Sequence, residues 1–151
     1  MEKVESDQLI TQCPLCRDVA AAVAGDLDRL VAVREHSIIV VGEHQFFPGY
    51  CMVVARHHAR EMHDLPPEIQ REIFDDVMTL GRAIEHAFTP FKMNYVSLGN
   101  VVEHLHWHVI PRRADEADPK AHPWAESARF TEKKTTPGEA RRVSRLIQPF
   151  L

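Results

Sequence analysis

Apolar positions along this chain change their period several times, and each change marks an element. Residues 17–24 are alanine-rich and predict a helix that Gly25-Asp26 closes. Residues 30–33 and 37–41 are short β-branched runs separated by the polar Arg34-Glu35-His36, which predicts two antiparallel strands. Residues 42–45 read as a loop, and Phe46-Phe47-Pro48-Gly49 turns the chain into a third strand at 50–56. Ile69, Ile73, Val77, Leu80 and Ile84 then recur at three- and four-residue steps, one apolar stripe running to about Phe88, either core or subunit contact. Asp64 is the expected N-cap of this helix, with Pro66, Pro67 and Glu68 in its first turn and Pro90 beyond its end.

The period returns to two for a strand at 94–98, a short Gly99-Asn100 turn, and a partner strand at about 102–110. Residues 113–136 are polar and proline-bearing and read as loop, and 138–148 predict a terminal helix with Val143, Leu146 and Ile147 on one side. Strands, one long helix and then two strands point to a single α+β domain, residues 1–151, with an antiparallel sheet.

The strand at 102–110 carries the chemistry. Its sequence, Glu103-His104-Leu105-His106-Trp107-His108-Val109-Ile110, puts histidine on three alternate positions. On a strand they share one face, about 7 Å apart, while Leu105, Trp107 and Val109 enter a core on the other. An ordinary half-buried strand seldom chooses histidine this way. Imidazole is a common metal ligand, so two or three of these rings could hold zinc. The other chemistry is nucleophilic: one ring nitrogen attacks phosphorus while a backbone carbonyl holds the other and fixes the tautomer.

Composition narrows the setting. The chain has 151 residues, 44% hydrophobic, enough for one domain core. A net charge of −4 with scattered basic residues argues against nucleic acid as partner. No apolar run reaches the roughly 20 residues that span a bilayer, and residues 1–7 lack the pattern of an export signal, so the expected location is cytoplasmic. In that setting Cys13-Pro14-Leu15-Cys16 reads as metal or redox chemistry rather than a disulfide, with a pair of reduced thiols as the alternative. Nothing after Cys16 resembles a thioredoxin-like context, and Cys51 stands apart.

The stretch His104-Leu105-His106-Trp107-His108-Val109-Ile110 resembles the signature of the histidine triad (HIT) superfamily. The likeness runs from Cys13 to Arg112 and takes in Phe47-Pro48-Gly49, Asp64-Leu65 and Ser97-Leu98-Gly99-Asn100; Pro123-Trp124-Ala125 is similar to the ending of some bacterial members. The resemblance implies the HIT fold, a homodimer, and nucleotide hydrolysis or nucleotidyl transfer at phosphoanhydride or phosphoramidate bonds, or else a nucleotide-binding regulatory protein with little turnover. It implies His106 as the nucleophile that forms a nucleotidyl-histidine, with His108 bonded to a phosphate oxygen or the departing group. Asn100 and Ser97 are implied near the substrate phosphates, and His104 among the substrate-binding residues.

The resemblance also implies a structural zinc on Cys13, Cys16, His58 and His104, and no catalytic metal. Two positions depart from the family pattern. Tyr50 stands where many members have histidine and reads as an ordinary aromatic strand residue. Gly42 stands where an acidic or amide residue binds the ribose, with Glu43 or His44 as substitutes. Around the triad, Arg112 and Arg113 read as solvated charges, Trp124 as a cover for the sheet edge or a base-stacking ring, and His57 and His63 as surface residues.

Overall fold

The structure is a computed structural model, and it describes residues 12–125 and 127–151. Residues 1–7, read above for an export signal, lie outside the described residues. Five strands, β1 (Leu30–Val33), β2 (Ser37–Val41), β3 (Cys51–Ala55), β4 (Lys92–Val96) and β5 (His106–Arg112), form one sheet in the order β1-β2-β3-β5-β4. Every neighbouring pair is antiparallel. Among the described residues the α-helices are α1 (Pro14–Ala24), α2 (Pro67–Phe88), the single turn α3 (Ser127–Phe130) and α4 (Pro137–Ile147).

Two apolar clusters explain why the sheet is central. On one face Val53 and Val109 pack with Ile73, Val77, Leu80 and Ile84 of α2 and with Val143 and Ile147 of α4. On the other, Ile38, Val40, Met52 and Ile110 pack with Leu15 of α1, Phe47, Tyr50 and Phe130. Strands β2 and β3 are buried along their whole length, which is why their runs show no polar alternation. The α2 stripe predicted from the sequence is the one that faces the sheet, and α1 closes at Gly25 in the left-handed conformation (φ +81°), as Gly25-Asp26 predicts.

Several boundaries differ from expectation. Asp64 does not cap α2. It closes a separate 3-10 turn, Met62–Asp64, whose Glu61 N–H it accepts, and α2 starts after Pro66 with no side-chain cap. Strand β4 begins two residues early, at Lys92, and β5 begins at His106, so residues 97–105 form a loop rather than a short turn. His104 therefore precedes the triad strand instead of lying on it.

Arg112 is not a solvated charge. It is 3% exposed, its Nε and Nη2 reach Glu116 Oε2 at 2.9 and 2.7 Å, and Nη1 donates to Asn94 Oδ1 and to the Ala121 carbonyl. Nη2 also donates to the Asp118 carbonyl, and the guanidinium lies 4.9 Å over the Phe47 ring. A rigid fork with five donors can bind this many acceptors at once. The segment after β5 is thereby tied back to the sheet.

Candidate active site

Strand register decides which imidazoles meet. His106 and His108 open β5 two residues apart and so point to the face away from α2, opposite Val54 and Met52 of β3. Their ring centroids are 4.8 Å apart. His106 is only 7% exposed, and its Nδ1 lies 2.6 Å from the His104 carbonyl oxygen. A carbonyl only accepts, so Nδ1 carries the proton and Nε2 keeps a free lone pair. Ser97 donates its hydroxyl to the His106 carbonyl at 2.8 Å, holding the backbone of the same residue from the other side.

His108 sits beside it in the same apolar wall. Burial, and then the neighbouring His106, lower its pKa from 6.5 to about 3, so the ring is neutral near pH 7. The unfolded ring takes up a proton first as pH falls. Stability from this group is therefore full above about pH 6.5 and is lost progressively as pH drops toward about 3. His108→Asn is expected to remove on the order of 3 kcal/mol of that acid dependence, read as a flatter slope of urea midpoint against pH between 6.5 and 4. An unchanged slope would contradict a neutral, half-buried ring.

Both rings line a cavity of about 470 Å³. Its walls are largely apolar, with Val40, Met52, Trp124 and Phe130, and Asn100 brings an amide to the same space. Trp124 stacks on Phe130 at 5.1 Å and meets the His108 ring edge-on at 4.9 Å, so it belongs to the cavity wall rather than a sheet edge. At the rim Arg29 pairs with Asp18 at 2.8 Å and lies 3.6 Å from Glu43.

Of the expected phosphate contacts, the structure brings Asn100 to the cavity with His106 and His108. Ser97 is spent on the His106 backbone, and the His104 ring is fully buried and turned elsewhere. Its Nε2 donates to the Ala55 carbonyl at 2.7 Å, which leaves Nδ1 bare and facing two sulfurs. Cys13 Sγ and Cys16 Sγ each lie 3.4 Å from this nitrogen, and His58 Nδ1 lies 3.3 Å from Cys16 Sγ. The four ligand atoms all fall within 4.8 Å of one another.

Zinc held at about 2.3 Å from sulfur and 2.0–2.1 Å from nitrogen separates such ligands by about 3.6 Å in a tetrahedron. The donor set fits. Burial, then the hydrogen bond and charge of Cys13, raise the Cys16 thiol to about 11, and a bound cation would favour its thiolate.

The reading of Tyr50 as an ordinary strand residue is overturned. It precedes β3, and its hydroxyl lies 2.6 Å from Nδ1 of His108. A lone strand position in sequence gives no sign of this, because the partner is 58 residues away.

A family model described as HIT domain matches residues 27–115, well over half of the chain and the whole of the sheet. The chain belongs to the HIT family. It is 27% identical over 106 residues to the curated protein named Protein hit of Bacillus subtilis (strain 168), covering 66% of this chain and 70% of that one. Among solved structures it is similar to a histidine triad protein from Bradyrhizobium japonicum, at TM-score 0.70 and 22% identity, with 80% of this chain and 88% of that one covered. It is also similar to a member of the HIT family from Bacillus subtilis, at TM-score 0.62 and 25% identity, over 93% and 97% of the two chains. Membership in the HIT family supports a nucleotide-directed role, either binding or hydrolase and transferase chemistry. Among the described residues no helix is long and apolar enough to cross a membrane.

Proposed function

We propose that this HIT protein is a nucleotide hydrolase or nucleotidyl transferase acting on phosphoanhydride or phosphoramidate bonds, of the dinucleoside polyphosphate or nucleoside phosphoramidate type. One observation carries the reading: the His104 carbonyl pins the His106 proton on Nδ1, so the bare Nε2 is available to a cavity that also holds His108 and Asn100. Nε2 attacks the α-phosphorus and forms an N–P bond as the bond to the leaving phosphate or amine breaks. Water or another acceptor then attacks the same phosphorus, the N–P bond breaks, and the nucleoside monophosphoryl group leaves.

His108 and Asn100 hydrogen-bond the phosphate oxygens or the departing group, and donors aimed at developing charge are commonly the largest catalytic contribution, about 3 kcal/mol for one well placed. Trp124 and Phe130 offer flat apolar surface to the base. The metal, when bound at Cys13, Cys16, His58 and His104, would supply a structural cross-link between the start of α1 and the approach to β5. The same reading takes a homodimer as the assembly. Strand β4 ends the sheet with its outer edge unpaired among the described residues, and Tyr95 and Phe91 are exposed there.

The test is a panel of diadenosine polyphosphates and adenosine phosphoramidates with an alkaline quench and intact-mass detection. One added nucleoside monophosphate on His106 is the expected result. Tight AMP binding with no adduct and no turnover across the panel would instead make the chain a nucleotide-binding protein.

A further inference from the structure

Two departures from the family pattern, Gly42 and Tyr50, are one packing solution. A Cβ on Gly42 would stand 2.3 Å from Cδ1 and Cε1 of the Tyr50 ring, far inside contact distance. The backbones cannot separate to relieve this, because the Gly42 N–H donates to the Tyr50 carbonyl at 3.0 Å. The Gln45 side chain fixes the turn between them, donating to the Tyr50 carbonyl at 2.8 Å and accepting from the Gly49 N–H at 2.9 Å. The ring is thus 3% exposed, and its direction is set by main chain on one side and Phe130, 5.6 Å away, on the other.

Given that direction, the hydroxyl has one partner among the described residues, Nδ1 of His108. A buried phenol must place its proton, and an N–H at Nδ1 would leave that proton with no acceptor. We propose that Tyr50 is the positioning residue for His108: its hydroxyl donates to Nδ1, so that His108 carries its own proton on Nε2, and Gly42 is the vacancy that admits the ring. Burial raises the Tyr50 hydroxyl further above its ordinary value, so it stays a donor throughout the working range.

The two catalytic imidazoles then have opposite tautomers. His106, with its proton on Nδ1, presents a lone pair at Nε2; His108, with its proton on Nε2, presents a donor. A lone pair and a hydrogen-bond donor then sit side by side at the cavity. This assignment of roles rests on the proposed phosphorus chemistry, but the tautomer itself does not.

The experiment is nitrogen NMR of the full chain labelled with ¹⁵N-histidine, without substrate, at neutral pH. His108 is expected to show an acceptor-type Nδ1 and a protonated Nε2, with His106 the reverse. Tyr50→Phe keeps the ring and its packing and removes only the hydroxyl, so the fold is retained. It is expected to shift His108 toward a mixture of tautomers and to lower kcat by about tenfold to a hundredfold with KM changed less. Gly42→Ala, which pushes the ring aside, is expected to shift the His108 signals in the same direction. A wild-type His108 protonated at Nδ1, or a Tyr50→Phe spectrum unchanged at His108, overturns the proposal. If the tautomers are as stated but no nucleotide is turned over, the reading of function falls and this one stands.

Discussion

Turnover by His106→Gly is expected to fall by about 10⁵-fold or more, because the variant has no atom with which to form the N–P bond. The substitution is chemically drastic and structurally mild. Removing the side chain deletes one hydrogen bond, Nδ1 to the His104 carbonyl, at the edge of a cavity where water can take its place. A net loss of about 1 kcal/mol is the ordinary cost of such a bond. The backbone of residue 106 stays bracketed by Ser97 and by pairing with Val54 of β3. Single-turnover kinetics should therefore show lost chemistry with nucleotide binding within a few-fold of wild type. Retained turnover in a clean preparation would falsify the covalent route.

Metal removal is expected to have the opposite signature, a large loss of stability and a small loss of chemistry. Occupancy at 1,000 times the dissociation constant stabilises a fold by about 4 kcal/mol. At about 2–4 °C per kcal/mol for a chain of this size, Tm should drop by roughly 8–16 °C in excess chelator or in Cys16→Ser. The proposed catalytic geometry does not pass through the metal: the carbonyl that orients His106 belongs to the main chain of His104. That main chain is held next door, where the Leu105 N–H donates to the Ala59 carbonyl at 2.7 Å and the Ala55 N–H to the Leu105 carbonyl at 3.0 Å. Below the melting transition, kcat should stay within about threefold. Metal analysis of the purified protein, with calorimetry and kinetics in chelator, decides this. Immediate loss of activity at constant Tm would point to a metal-centred hydrolase, and an unchanged Tm with no bound metal would end the zinc reading.

What could be read from the sequence was local. The α2 stripe is periodic, the β1 and β2 runs are β-branched stretches bounded by polar residues, and the alternation of His106, Trp107, His108 and Val109 is a strand signal that needs no partner to be seen. The clustering of Cys13, Cys16, His58 and His104 came from resemblance, because the cysteine spacing says nothing about which histidines approach it. His104 was expected on the strand and at the substrate, yet its ring is claimed by Ala55 and by thiols about ninety residues earlier in the chain. Arg112 and Tyr50 read as bland in the sequence, and Trp124 stays open between a sheet-edge cover and a base-stacking ring, for the same reason: their partners lie in other segments. The polar stretch after Arg113 hides its role because, among its described residues, Trp124, Phe130 and Thr131 alone line the cavity, too few to make a period.

Arg112 ends the strand on which His106 and His108 begin, and it grips the carbonyls of Asp118 and Ala121 just ahead of Trp124. The paired imidazoles and the anchor of the aromatic wall are thus two ends of one rod of seven residues. Exchanging side chains at positions 124 and 130 would alter the shape offered to a guest molecule and also the surroundings of His108, which Trp124 meets directly and Phe130 reaches through Tyr50, so the choice of guest and the state of this imidazole are coupled in this scaffold.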